Sequence, residues 1–161
     1  MKREAERLGR LLRKNGLGAA VAESCTAGAI GAAIASVDGA SDYFLGGVIS
    51  YAVSVKEDLL SVPSSTIEKY GVVSRETAVA MNRGVRKRLG AGFAISVTGY
   101  AGASGGDVFA PKGTVWLCVG ENGCEEVCKC LKVSGSRFRN LRTTVKEALN
   151  LAVDYLSGRR S

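Results

Sequence analysis

The chain is 161 residues long, 46% hydrophobic and 23% charged, with two prolines and no apolar run of membrane-spanning length, which excludes a disordered chain and a helical membrane protein. Its +7 formal charge is scattered over the first helix, residues 83–88, 129–142 and the tail with few aromatics between, so a solvated surface is expected rather than nucleic-acid binding. The absence of histidine excludes a Ser-His-Asp triad, a histidine-liganded metal and a histidine general base.

Taken in chain order, Ala5, Leu8, Leu11 and Leu12 recur at helical spacing and predict an amphipathic helix over residues 3–15, closed by Gly16 and Gly18. Small apolar residues at 18–22 suit a strand covered on both faces. A helix rich in Ala, Gly and Ile follows, from residue 27 to about 36. Between them lie Glu23-Ser24-Cys25-Thr26, where the start of that helix would offer free N–H groups to an anion or oxyanion. Ser24 or Thr26 as a plain N-cap is the competing account. Residues 46–51 read as a second strand and 53–60 as a short helix carrying Lys56; Pro63 then breaks the chain.

Ser74 predicts the N-cap of a helix ending at Leu89, with Gly90 beyond it. Residues 93–97 form an apolar strand that runs into the glycine-rich stretch 98–107, whose backbone can turn sharply against a ligand. Two strands, 113–119 and 127–133, flank a turn at Glu121-Asn122-Gly123. A last helix carries Leu141, Val145, Ala148, Leu149, Ala152 and Leu156 on one stripe. The pattern predicts a single α/β domain over residues 1–161, with a mixed sheet between helices.

Five cysteines, an odd number behind a charged first helix without a signal-peptide core, predict reduced thiols and a cytoplasmic protein. Cys124, Cys128 and Cys130 have the wrong spacing for zinc and are expected to pack on the hairpin. Residues 102–106 match a nucleophile-elbow pattern, but no helix follows, so the match is treated as accidental. What remains is a hydroxyl nucleophile without histidine. A lysine of lowered pKa is the available base, and Lys56, behind the second strand and Tyr51, is the candidate.

The chain resembles the carboxy-terminal domain of the CinA (competence-damage-inducible) proteins, whose stand-alone members include nicotinamide-nucleotide amidases. The resemblance covers nearly the whole length. It rests on residues 22–28, 43–48, 51–56, 71–74, Thr98-Gly99-Tyr100-Ala101-Gly102 with Gly105-Gly106, 113–115, and Gly135-Ser136-Arg137 with Arg142. It implies a three-layer α/β/α sandwich, a homo-oligomer, and hydrolysis of the carboxamide of nicotinamide mononucleotide to the acid and ammonia without metal or organic cofactor. Ser24 would be the nucleophile, Lys56 the base, and Tyr51 a member of the proton network. Amides near Thr26 and Gly28 would hold the oxyanion, Thr98, Gly99, Gly102, Gly105 and Gly106 would border the pocket, and Arg137, helped by Arg142, would take the nucleotide phosphate.

The chain departs from the family pattern where a second glycine is usual and Ala27 stands. It departs again where Tyr-Ser-Asn is usual and Tyr51-Ala52-Val53 stands, and at Ala103 and Ala110-Pro111 in the glycine-rich loop. These changes fall in the expected pocket. They leave a non-catalytic module binding a nucleotide or phosphorylated metabolite as the alternative, with a nucleic-acid-associated protein third.

Overall fold

The computed structural model describes residues 1–102 and 105–158. Ala103, with its departure from the family pattern, Ser104 of the elbow-like match, and the basic tail lie outside the described residues. Five strands form one sheet in the order β2-β1-β3-β4-β5. These are β1 (Ala19–Glu23), β2 (Phe44–Ile49), β3 (Phe93–Gly99), β4 (Thr114–Glu121) and β5 (Val127–Lys132). The first three are mutually parallel, while β4 runs antiparallel to β3 and β5 antiparallel to β4, so the sheet is mixed.

Helices α1 (Lys2–Lys14), α2 (Ala29–Ala35) and α6 (Arg137–Ser157) cover one face; α3 (Val53–Leu60), α4 (Ser64–Tyr70) and α5 (Arg75–Leu89) lie on the other. The strand period of two divides the core between them. Ala19 and Val21 of β1 join Leu8, Ile30, Ile95, Leu117 and Leu149 on the α1/α2/α6 side, whereas Ala20 and Ala22 meet Leu60, Met81 and Val85 on the α5 side. β1 is buried over its whole length, as its run of small apolar residues requires. The result is the expected α/β/α sandwich.

Ser74 caps α5 by accepting from the Thr77 amide at 3.1 Å, and Gly90 ends the helix in a left-handed conformation, as the sequence signals. Five expectations are corrected. α2 begins at Ala29 rather than 27, because Ala27 (φ +50°) and Gly28 (φ +98°) turn left-handed first. β2 is shifted towards Phe44, with Gly46 and Gly47 inside it. α4 lies in a segment read only as a break. Finally, Cys118 and Cys128, paired across β4 and β5, form a disulfide, so the expectation of wholly reduced thiols fails. An odd count had pointed away from it, yet cross-strand neighbours need no loop framework to reach each other. Cys130 is exposed rather than packed.

Candidate active site

The end of β1 aims two adjacent side chains in opposite directions. The Ser24 amide continues the ladder by donating to the Val97 carbonyl at 3.1 Å, so Ser24 keeps the parity of Ala22 and faces the α3/α5 side. Cys25 keeps the parity of Val21 and is buried in the α1/α2/α6 core. Burial pushes its thiol up to about 12, outweighing the opposite pull of Arg137 and Lys56. A thiol held protonated in the core is no competitor for the nucleophile's role.

Lys56 is completely buried, and its ammonium nitrogen lies 3.1 Å from Ser24 Oγ. The Ser50 carbonyl accepts from Nζ at 2.6 Å and the Tyr51 carbonyl at 3.4 Å. Burial lowers this amine from 10.5 to about 8. The three contacts suit both protonation states. An ammonium donates to all three oxygens; a neutral amine donates to the two carbonyls and turns its lone pair to the Ser24 hydroxyl. α3 can hold the lysine there because Gly84 of α5 lets the helices touch: a Cβ at Gly84 would lie 2.0 Å from the Leu60 carbonyl oxygen.

The amides at the start of α2 are not free. Glu23, fully buried, accepts from the Thr26 hydroxyl at 2.6 Å and from the amides of Gly28 at 3.0 Å, Ile30 at 3.1 Å and Gly31 at 2.7 Å. Gly28 therefore cannot give its amide to an oxyanion, and neither Ser24 nor Thr26 caps α2. The Ala27 amide donates to the Ser24 carbonyl at 3.1 Å and the Cys25 amide lies against its own thiol, which leaves the Thr26 amide as the candidate oxyanion donor beside Ser24 among the described residues. Sequence reasoning quoted Glu23 without giving it a task. The available signal was a lone acid in an otherwise apolar strand and helix, next to the nucleophile.

The other expected residues are spread around this centre. Tyr51 contributes its backbone carbonyl to Lys56, while its hydroxyl, 60% exposed with its ring, accepts from Arg137 at 3.3 Å; the side chain is thus outside the Ser24–Lys56 contact. Arg137 opens α6 and donates to the Tyr51 hydroxyl, so it stands beside the segment whose backbone carbonyl holds Lys56. Arg142 sits about 140° further round that helix. It packs over the Phe138 ring in a groove of about 570 Å³ shared with Arg139 and Lys146, so the structure does not bring it to Ser24.

Thr98 is buried and donates to the Val72 carbonyl at 2.8 Å, which spends its hydroxyl on tethering the segment before α5. Gly99 packs against the backbone of Val115, and Gly102 is half-buried. Gly105 and Gly106 take left-handed φ values of +118° and +106° that a side chain would strain. Asp107 fixes their loop by accepting from the Phe109 and Ala110 amides and from the Tyr100 hydroxyl. The departures at Ala52 and Val53 are exposed, and Lys56 is oriented without them. Ala52 is the N-cap of α3 and supplies no side-chain cap, so its effect falls on helix stability.

Fold and centre together define an α/β/α domain with a buried serine–lysine pair at the end of a central parallel strand. The CinA C-terminal domain profile matches residues 1–156, and the chain belongs to that family. A CinA-like protein of a Synechococcus species is 47% identical over 141 residues, 87% of this chain and 34% of that protein. A CinA-like protein of a Geobacter species is 42% identical over 156 residues, 97% and 37% respectively. The chain therefore spans about a third of the length of these curated relatives. Among solved structures, a CinA superfamily protein of Klebsiella pneumoniae superposes with a TM-score of 0.93 at 27% identity, covering 98% of both chains. The competence/damage inducible protein CihA of Agrobacterium tumefaciens gives 0.90 at 32% identity, covering 97% of this chain and 94% of its own.

Proposed function

We propose that the protein is an amidohydrolase in which Ser24 and Lys56 hydrolyse the carboxamide of a pyridine nucleotide, nicotinamide mononucleotide, to the carboxylate and ammonia. The observation that carries this reading is the buried amine, lowered to about 8, at 3.1 Å from a serine hydroxyl. Such an amine is neutral in a useful fraction near neutral pH and close enough to take the hydroxyl proton. Family membership supports the hydrolase class, and the intact Ser24–Lys56 contact, despite Ala52 and Val53, weighs against a module that only binds.

Ser24 Oγ attacks the carboxamide carbon while its proton passes to Lys56 Nζ. The oxyanion is received by the amide of Thr26. Lys56 then returns the proton to the departing nitrogen as the C–N bond breaks, releasing ammonia and leaving an acyl group on Ser24. A water attacks that ester, its proton taken by Lys56 and passed to Ser24 Oγ as the acid leaves. Atoms balance as carboxamide plus water to acid plus ammonia, and the steps call for no cofactor. Arg137 is suited to the nucleotide phosphate once Tyr51 yields its hydroxyl contact. The substrate is thus a small nucleotide, taken up by a protein with no described helix long and apolar enough to cross a membrane.

The test is ammonia release from nicotinamide mononucleotide by the parent and by Ser24→Ala, Lys56→Ala and Cys25→Ala proteins. Release is expected to vanish in the first two and persist in the third. Nucleotide binding without release in the parent would overturn the reading.

A further inference from the structure

The first turn of α6 meets the rest of the protein through one side chain. Arg137, Phe138 and Arg139 are exposed, whereas Asn140 is 4% exposed. The next fully buried side chains, Thr144 and Val145, lie a turn further on. Asparagine is a poor helix former, and an amide taken out of water costs free energy unless its donors and acceptor are met. Here they are met. Nδ2 donates to the Ala101 carbonyl at 3.0 Å and to the Gly135 carbonyl at 2.9 Å, while Oδ1 accepts from the Gly135 amide at 2.8 Å. An apolar residue of the same size would fill the space and lose all three bonds.

These bonds tie together two segments that lead to the serine–lysine pair. Ala101, itself buried, is the first residue past Tyr100, whose amide donates to the Thr114 carbonyl and whose carbonyl accepts from Gly113. It thus opens the loop that leaves β3, the strand whose Val97 carbonyl receives the Ser24 amide. Gly135 stands directly before the cap Ser136 and Arg137. The Arg137 guanidinium donates to the Tyr51 hydroxyl at 3.3 Å, the Tyr51 carbonyl accepts from Lys56 Nζ at 3.4 Å, and Nζ lies 3.1 Å from Ser24 Oγ. A continuous run of contacts therefore joins the start of α6 to the nucleophile. Asn140 grips that start at Gly135 and the loop after β3 at Ala101.

We propose that Asn140 is a positioning residue: it fixes the first turn of α6 against the loop after β3 and so holds the Arg137 guanidinium where it meets the phosphate of the substrate nucleotide. This rests on the amidase reading above, with Arg137 as the phosphate's partner. Asn140 touches neither the substrate nor the reacting atoms, so it acts through Arg137 and on binding. A guanidinium already held in place loses less freedom when the phosphate arrives, and the effect falls on KM rather than on kcat.

The test is the kinetics of ammonia release from nicotinamide mononucleotide by the parent, Asn140→Ala, Arg137→Ala and the double variant. Asn140→Ala should raise KM about tenfold and leave kcat within about twofold of the parent. Arg137→Ala should raise KM at least as much, and the double variant no further than Arg137→Ala alone, because the two residues act as a unit. A merely structural defect would instead shrink the active fraction, lowering kcat with KM unmoved. If Asn140→Ala does not fold, Gly135→Ala decides the matter. Its added Cβ would lie 3.1 Å from Asn140 Oδ1 and 3.0 Å from Arg139 Cδ, a crowding that displaces the amide slightly without removing it. That variant should raise KM about threefold, and should add nothing to Arg137→Ala. A fall in kcat at unchanged KM, an Arg137→Ala protein with the parent's KM, or losses that add in the double variant overturn the inference while leaving the amidase reading standing. No release from the parent overturns both.

Discussion

Replacing Lys56 with methionine removes a charge while keeping an unbranched chain of similar length, and it should change the pH dependence of stability by a calculable amount. Burial lowers Lys56 from 10.5 to about 8 in the folded protein. Between those values the unfolded chain binds a proton that the folded protein does not, so the parent must gain stability as pH rises. At about 1.4 kcal/mol per unit, a gap of roughly 2.5 units is worth about 3 kcal/mol. The side chain is completely buried, so solvent screening takes little from this figure. Below about pH 8 the buried ammonium costs the fold that amount; the cost is relieved as pH climbs towards 10.5. Lys56→Met has no such contribution, and other titrations cancel in the difference. Urea unfolding of both proteins at pH 7.5 and 10.5 should therefore show the parent gaining about 3 kcal/mol on the variant. A difference that stays flat with pH would refute the claim that Lys56 is a desolvated, readily neutralised amine.

Other outcomes follow from the same turn and helix. Ala27 holds a left-handed φ of +50°, so Ala27→Gly should stabilise the protein by about 1 kcal/mol in thermal unfolding. Ala52→Ser should supply the missing cap of α3 and add roughly 1 kcal/mol, with little effect on turnover, measured in the same melts and in an ammonia assay. Cys25, its thiol pushed up to about 12 in the core, should resist iodoacetamide at pH 8 in the native protein while exposed Cys130 reacts; peptide mass mapping separates the two.

The sequence carried the layers well because periodicity and burial agreed. The stripe of α6, the cap of α5 and the apolar runs of β1 and β3 all answer to one local rule each. The pairing of Ser24 with Lys56 was legible as chemistry, since removing histidine leaves few bases for a hydroxyl. Their 3.1 Å contact was not, because it depends on Gly84 admitting α3 against α5, a close approach that no local pattern records. Glu23 escaped for a related reason. A carboxylate in an apolar strand gives no hint of its partners until the left-handed turn at Ala27 and Gly28 folds the amides of α2 back onto it. The Cys118–Cys128 bond likewise follows from strand register, which places two residues ten apart in sequence opposite each other.

The most direct test of the central claim is the pH profile of ammonia release from nicotinamide mononucleotide, with Ser24→Ala run beside the parent. If Lys56 must be neutral to take the Ser24 proton, release should fall about tenfold per pH unit well below the lysine's value, be half-maximal near pH 8, and level off above it, with Ser24→Ala silent throughout. A rate independent of pH between about 6 and 9.5, or release surviving in Ser24→Ala, would contradict a serine activated by a buried lysine.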